Sequence, residues 1–237
     1  MSTLVHLATI AAADSDRTWF NSPAIQQELG NAVKETLLMV STSALVSIII
    51  GLLLGVILTA TRPHGLLPNR PINQVLGLIV NLGRAIPFII LMFWMIPVTR
   101  FIVQTSSGWR GAAVPLAVSA IPYFARLVES NLSGVEPGKV EAALMMGASR
   151  MRILGGVLVR EAMPALIQSV TILIITLIGY SAMAGSIGGG GLGALAVNQG
   201  YYNSNVDVVT IVVIVIVAIV AIVQMCGDML SRLVDHR

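Results

Sequence analysis

From Val206 to Met225 the chain is almost entirely valine and isoleucine, with Asp207 its single charge. A spanning α-helix needs about 20 predominantly apolar residues, and this run supplies that length. Four further segments share the character: about Thr36 to Ala60, Val75 to Val98, Ala112 to Leu132 and Pro164 to Ile187. A backbone in hydrocarbon must satisfy its polar groups within its own segment, so such runs fold as helices. Charged residues make up 11% of the chain, against about 25% in soluble domains, too few to cover a water-facing surface. The reading is an all-α integral membrane protein with five transmembrane helices and no separate soluble domain.

An odd number of crossings puts the termini on opposite faces. With the amino terminus outside, the inner loops and tail hold Arg62, Arg70, Lys139, Arg150, Arg152, Arg160, Arg232 and Arg237, and the outer ones hold Arg17, Lys34, Arg100 and Arg110. Excess basic charge marks the cytoplasmic side, so the carboxyl terminus is expected inside. The same bias accounts for the net charge of +3 without nucleic acid. Residues 1–30 read as an extracytoplasmic extension, peripheral through Trp19 and Phe20. Residues 31–230 form the membrane domain with a cytoplasmic loop at about 133–162, and 231–237 a cytoplasmic tail. Cys226, the lone cysteine, excludes an intrachain disulfide and is expected to be buried and inert.

Within that loop, Glu141-Ala142-Ala143-Leu144-Met145-Met146-Gly147-Ala148 is too short and too polar at its ends to span. Pro137-Gly138 upstream read as a breaker and turn, which would place Glu141 in the first helical turn, where a carboxylate complements the helix dipole. Ala142, Ala143, Gly147 and Ala148 carry almost no side chain, so another surface can come close. The segment reads as a docking helix.

Enzyme chemistry finds no footing. The only Gly-Lys pair, Gly138-Lys139, has Ser133 where a P-loop needs its first glycine, and Val140 follows it. Gly188, Gly190 and Gly193 match G-x-G-x-x-G formally, yet they follow a membrane helix rather than a strand, and Gly185 to Gly193 reads as a flexible extracytoplasmic turn. His6, His64 and His236 have no acidic neighbours at ligand spacing, so no metal is expected. Asp207 reads as the cap of the last span.

Ionisable residues inside apolar segments are costly and point to pathways or helix pairs. Arg126 and Glu129, three apart, can partly neutralise each other, and they read as an anchor for the cytoplasmic loop. Arg84 precedes Ala85-Ile86-Pro87, and the expected helix starts at Ala85, with Arg84 snorkelling to the inner surface. Gly51 and Gly55, four apart, allow close helix packing. Tyr180, Ser181 and Met183 stand near the outer end of the fourth span, just before a glycine run. A flexible thioether can seal and reopen an irregular gap, and two copies of Met183 could meet across a dimer axis. The alternative is that Met183 packs against the fifth span.

Glu141-Ala142-Ala143, three residues, then Gly147 resembles the EAA loop of bacterial ABC-importer permeases. Thr61-Arg62-Pro63, Arg84 to Leu91, Trp94-Met95-Ile96-Pro97, Gly179 to Met183 and Gly190 to Gly193 narrow the resemblance to the methionine-importer permeases of proteobacteria, over about residues 31–232. The sequence departs from the family at Arg160, where the pattern has proline, and a proline comes only at Pro164. The resemblance implies a type I ABC importer permease fold and a homodimer working by alternating access. It implies two ATPase subunits on the cytoplasmic face, which bind the ATP and magnesium so that this chain needs no cofactor. It also implies an extracytoplasmic methionine-binding lipoprotein. Glu141, Ala142, Ala143, Leu144, Gly147 and Ala148 would then couple to the ATPase, and Tyr180, Ser181 and Met183 would line the path or gate. The rivals are a permease for another amino acid, and an ATP-independent carrier in which residues 137–150 lie as an interfacial helix.

Overall fold

The computed structural model describes residues 22–235 of the chain, so the extension's residues 1–21, with His6, Trp19 and Phe20, and the last two residues lie outside it. Helix α1, Pro23–Thr61, opens on a proline at its start and ends where Arg62, ahead of Pro63, leaves helical geometry at ψ 158°. Its 39 residues extend roughly 58 Å, about twice a bilayer's hydrocarbon thickness. It begins well before Thr36, so residues 23–30, assigned above to the extension, are its first turns.

Helix α2, Arg70–Ala85, is capped by Asn69, whose side chain accepts from the Ile72 amide at 3.2 Å. Pro87 stops it. The chain turns through 100° into α3, Phe88–Trp94, and continues as α4, Ile96–Val103. The second apolar segment is thus a broken pair rather than one straight span. Arg84 closes the helix before the break instead of preceding one after it, because the proline ring forbids the helical conformation at the residue ahead of it. Among the described residues, four single helices are long and apolar enough to cross a membrane, or five if the bent pair is one crossing.

Helix α5, Gly108–Ser133, runs unbroken through Pro115 and Pro122 and packs along α1. A Cβ at Gly51 would stand 2.9 Å from Phe124 Cδ1, and one at Gly55 2.5 Å from Val128 Cβ, so the glycine pair permits this approach. Ser43 and Ser47 donate across the seam to the carbonyls of Ala113 (2.9 Å) and Ala117 (3.2 Å). Met39, Leu116, Phe124, Leu173 and Leu177 fill the core between α1, α5 and α8.

The loop between the third and fourth spans contains α6, Pro137–Met145, and α7, Arg150–Ile153, which loosens into π-helical turns over Leu154–Val159. Arg160 keeps helical geometry, and α8, Met163–Ala184, restarts with Pro164 in its first turn, so the displaced proline still opens the fourth span. The last span is α10, Val206–Val234; its cap is Asn205, accepting from the Val208 amide at 3.3 Å, with Asp207 in the first turn. Asparagine takes the cap because the helix starts one residue before Asp207. Cys226 is exposed on this helix, not buried in protein, since a lipid-zone segment satisfies an apolar side chain without an interior.

Between α8 and α10 the glycine run is a packed plug. Gly185–Gly189 form a kinked π-helical turn, α9 follows as Gly191–Leu195, and Ala196–Tyr201 wind back. Gly185, Gly189, Gly191 and Gly193 are buried. A Cβ at Gly193 would sit 2.3 Å from the Ala182 carbonyl oxygen. The expected flexible turn is therefore corrected: glycine is needed here for close backbone contact. Glu35 and Thr36 of α1 accept from the Gly191 and Leu192 amides at 2.8 and 2.9 Å, capping α9.

Candidate functional site

The loop between the third and fourth spans hangs from a charged knot. Glu129, 5% exposed near the end of α5, accepts from Arg62 Nε (3.1 Å) and Nη2 (2.9 Å) and pairs with Arg126. Arg62 also donates to Ser133, and Arg126 to the Gly77 carbonyl (3.2 Å) and Asn81 Oδ1 (2.9 Å). The expected Arg126 and Glu129 pair is present, joined by Arg62. One carboxylate thus ties the ends of α1 and α5 together and, through Arg126, to the middle of α2, four residues before the loop begins its turn at Ser133-Gly134. Sequence reading missed Arg62 because nothing local links the Thr61-Arg62-Pro63 stop to a carboxylate 67 positions on.

Helix α6 then carries the residues expected to dock. Pro137 occupies its first turn, since a proline's missing amide is harmless there; Glu141 accordingly lies beyond the first turn, not in it. Glu141 is exposed and forms no hydrogen bond or ion pair with a described residue. Ala143 faces inward, and Lys139 is held to Glu161. The helix ends in a paired closure: the Gly147 amide donates to the Leu144 carbonyl (2.9 Å) and the Ala148 amide to Ala143 (3.1 Å), with Gly147 at φ +74°. This is the glycine-dependent helix stop. A Cβ at Gly147 would meet nothing within 4 Å, so within this chain the glycine serves conformation.

That stop turns the chain so that Met145, 90% exposed, and Met146, 81% exposed, stand out beside Leu144 and Met151. Behind them, a cavity of about 550 Å³ opens between α6, the 62–66 turn, Leu154 and Leu158. An apolar, methionine-rich patch flanked by the free Glu141 carboxylate has the make-up of a protein contact. The linear sequence shows Leu144, Met145 and Met146 side by side but not that they project together.

At the other end, Tyr180 stacks on Phe88, ring centroids 5.0 Å apart and 5° from parallel, joining α8 to the helix after the break. Met183 is 42% exposed and lies one turn beyond, on a face with the exposed Gly179 and Ile172. Ser181 is 3% exposed and donates to the Ile178 carbonyl at 2.7 Å, so it points into the protein, away from that face. Among the described residues no group of His, Cys, Asp and Glu is arranged to hold a metal.

Up to five crossings among the described residues, with α6 projecting from a loop and an exposed face on α8, define a multi-pass membrane subunit. A family profile described as "Binding-protein-dependent transport system inner membrane component" matches residues 47–237, and the chain belongs to that family. Its fold is that of a type I importer permease, and it is a transport subunit, not an enzyme. It is 47% identical over 206 residues, 87% of this chain and 92% of the relative, to the "Probable D-methionine transport system permease protein MetI" of Vibrio cholerae. A relative with the same description from Pasteurella multocida is 44% identical, over 91% of this chain and all of its own length. Among solved structures, an inward-facing conformation of the MetNI methionine ABC transporter matches with a TM-score of 0.88 at 43% identity, covering 91% of this chain and 100% of that one.

Proposed function

We propose that this chain is the permease of an ATP-driven importer for methionine, two copies forming a central path that opens alternately to either side. The observation that carries the reading is the projection of Leu144, Met145 and Met146 from α6. The methionine assignment is supported by relatives at 44–47% identity. Each α6 docks on one of two ATPase subunits, which supply ATP and magnesium chemistry from outside this chain. An extracytoplasmic methionine-binding lipoprotein delivers substrate, and the amino terminus lies outside.

The side chains divide the work. Glu141, Ala142, Ala143, Leu144, Gly147 and Ala148 form the coupling contact, and the Glu129 knot makes its base rigid, so motion imposed on α6 passes into α1, α2 and α5 as a body. Tyr180 and Met183 face the path, with Ser181 holding the helix behind them. Closure of the ATPases would then draw the two α8 faces apart or together.

Vesicles containing the purified permease and ATPase, supplied with the binding protein, test this directly: ATP-dependent accumulation of radiolabelled methionine is expected. Accumulation without ATP or without the ATPase would sink the importer reading in favour of a carrier. ATP-driven uptake of a different amino acid would remove methionine alone.

A further inference from the structure

Where the second apolar segment breaks, an arginine borders a cavity. Arg84 lies in the last turn of α2, on the second apolar segment, roughly 21 Å along the helix from Arg70, and is exposed rather than buried among the described residues. It makes no hydrogen bond or ion pair with any described residue. An ionisable side chain in an apolar spanning segment is retained where it has a partner or a pathway to serve, and this one has no partner among the described residues.

The cavity beside it measures about 130 Å³ and is walled by Arg84, Phe88, Ser119, Tyr123, Thr176 and Tyr180. That is well above the roughly 15 Å³ one water needs. No carboxylate lines it. The Ser119 and Thr176 hydroxyls already donate to the Leu116 and Ile172 carbonyls, both at 2.8 Å, which leaves their oxygens free to accept. The Tyr123 and Tyr180 hydroxyls have no partner among the described residues and are free to donate. Stacking on Phe88 fixes the Tyr180 ring, and Leu173 and Leu177 add an apolar wall.

A guanidinium fork and two phenol donors suit a carboxylate, and two hydroxyl acceptors suit an ammonium. We infer that this cavity is a transit site for the zwitterionic head of an amino acid, with Arg84 holding the carboxylate and Ser119 and Thr176 facing the ammonium. The inference rests on the importer reading and adds to it a place where substrate pauses within the permease.

The test uses the complete transporter in vesicles with its binding protein, and compares Arg84→Gln, Arg84→Lys and the double variant Tyr123→Phe, Tyr180→Phe. Arg84→Gln should lower maximal uptake about tenfold or more, the lower end of what a charge-assisted hydrogen bond contributes. The half-saturating concentration of binding protein should not change. Arg84→Lys should restore part of the rate, and the phenylalanine pair should lose several-fold. Wild-type uptake by Arg84→Gln would overturn the site while leaving methionine import standing. Loss of the permease dimer in Arg84→Gln, with wild-type uptake by the phenylalanine pair, would also overturn it by making Arg84 a subunit contact. The same losses on a different amino acid would uphold the site and remove methionine. A wild-type transporter that carries no amino acid would remove both.

Discussion

At Gly147 the backbone stands at φ +74° in open space, so the two reasons for a glycine, room for a neighbour and freedom of backbone, make different predictions. An L side chain in the left-handed region costs about 1–2 kcal/mol, and asparagine tolerates it better. If conformation governs, Gly147→Asn should keep more ATPase bound in a pull-down than Gly147→Ala. If partner contact governs, the larger asparagine should do worse. Glu129 poses a second residue-scale question. Glu129→Gln leaves Arg62 and Arg126 facing each other without a carboxylate. Breaking a fully buried pair costs about 3–5 kcal/mol; here the arginine side chains are 39% and 26% exposed, so about 2 kcal/mol is expected. A lowered melting temperature of the detergent-solubilised protein would report it, and an unchanged one would show that the knot does not hold the loop's base.

At the scale of elements, the glycine plug should respond to a methyl group according to where it points. Gly193→Ala drives a Cβ to 2.3 Å from the Ala182 carbonyl oxygen, whereas a Cβ at Gly179 meets nothing within 4 Å. Gly193→Ala should therefore destabilise the folded permease in detergent by several degrees more than Gly179→Ala; equal melting temperatures would mean that the plug is looser than its contacts imply. This plug also marks the limit of what was legible. Apolar length identified the crossings, and the Gly51 and Gly55 spacing identified the tight seam, because both signals are local. The bend at Pro87 was visible as a proline, but its 100° angle is set by how α3 packs on α5 and α8. Glycine composition reads alike for a slack turn and a close-packed one, and only the contacts with Ala182, Ala184, Glu35 and Thr36 separate them. The loop around Glu141 was legible as a motif, while the shared projection of Met145 and Met146 was not, because it depends on the turn at Gly147.

For the whole molecule, the inside-out assignment and the dimer are separable. In a Cys226→Ala background, Ser149→Cys should be reached by an impermeant thiol reagent only from the cytoplasmic side; labelling from outside intact cells would invert the topology. Met183→Cys in the same background should cross-link two permeases on oxidation, and the absence of any cross-link across nucleotide states would make Met183 a packing residue. Both leave open whether α6 is the handle through which ATP hydrolysis moves the membrane domain. The most direct measurement is co-purification of the ATPase with a permease carrying Met145→Glu and Met146→Glu, two substitutions at fully projecting positions that touch no core contact. The permease should remain folded and dimeric while the ATPase is lost from the complex. Recovery of the ATPase at wild-type stoichiometry, with ATP-driven uptake intact, would contradict α6 as the docking helix.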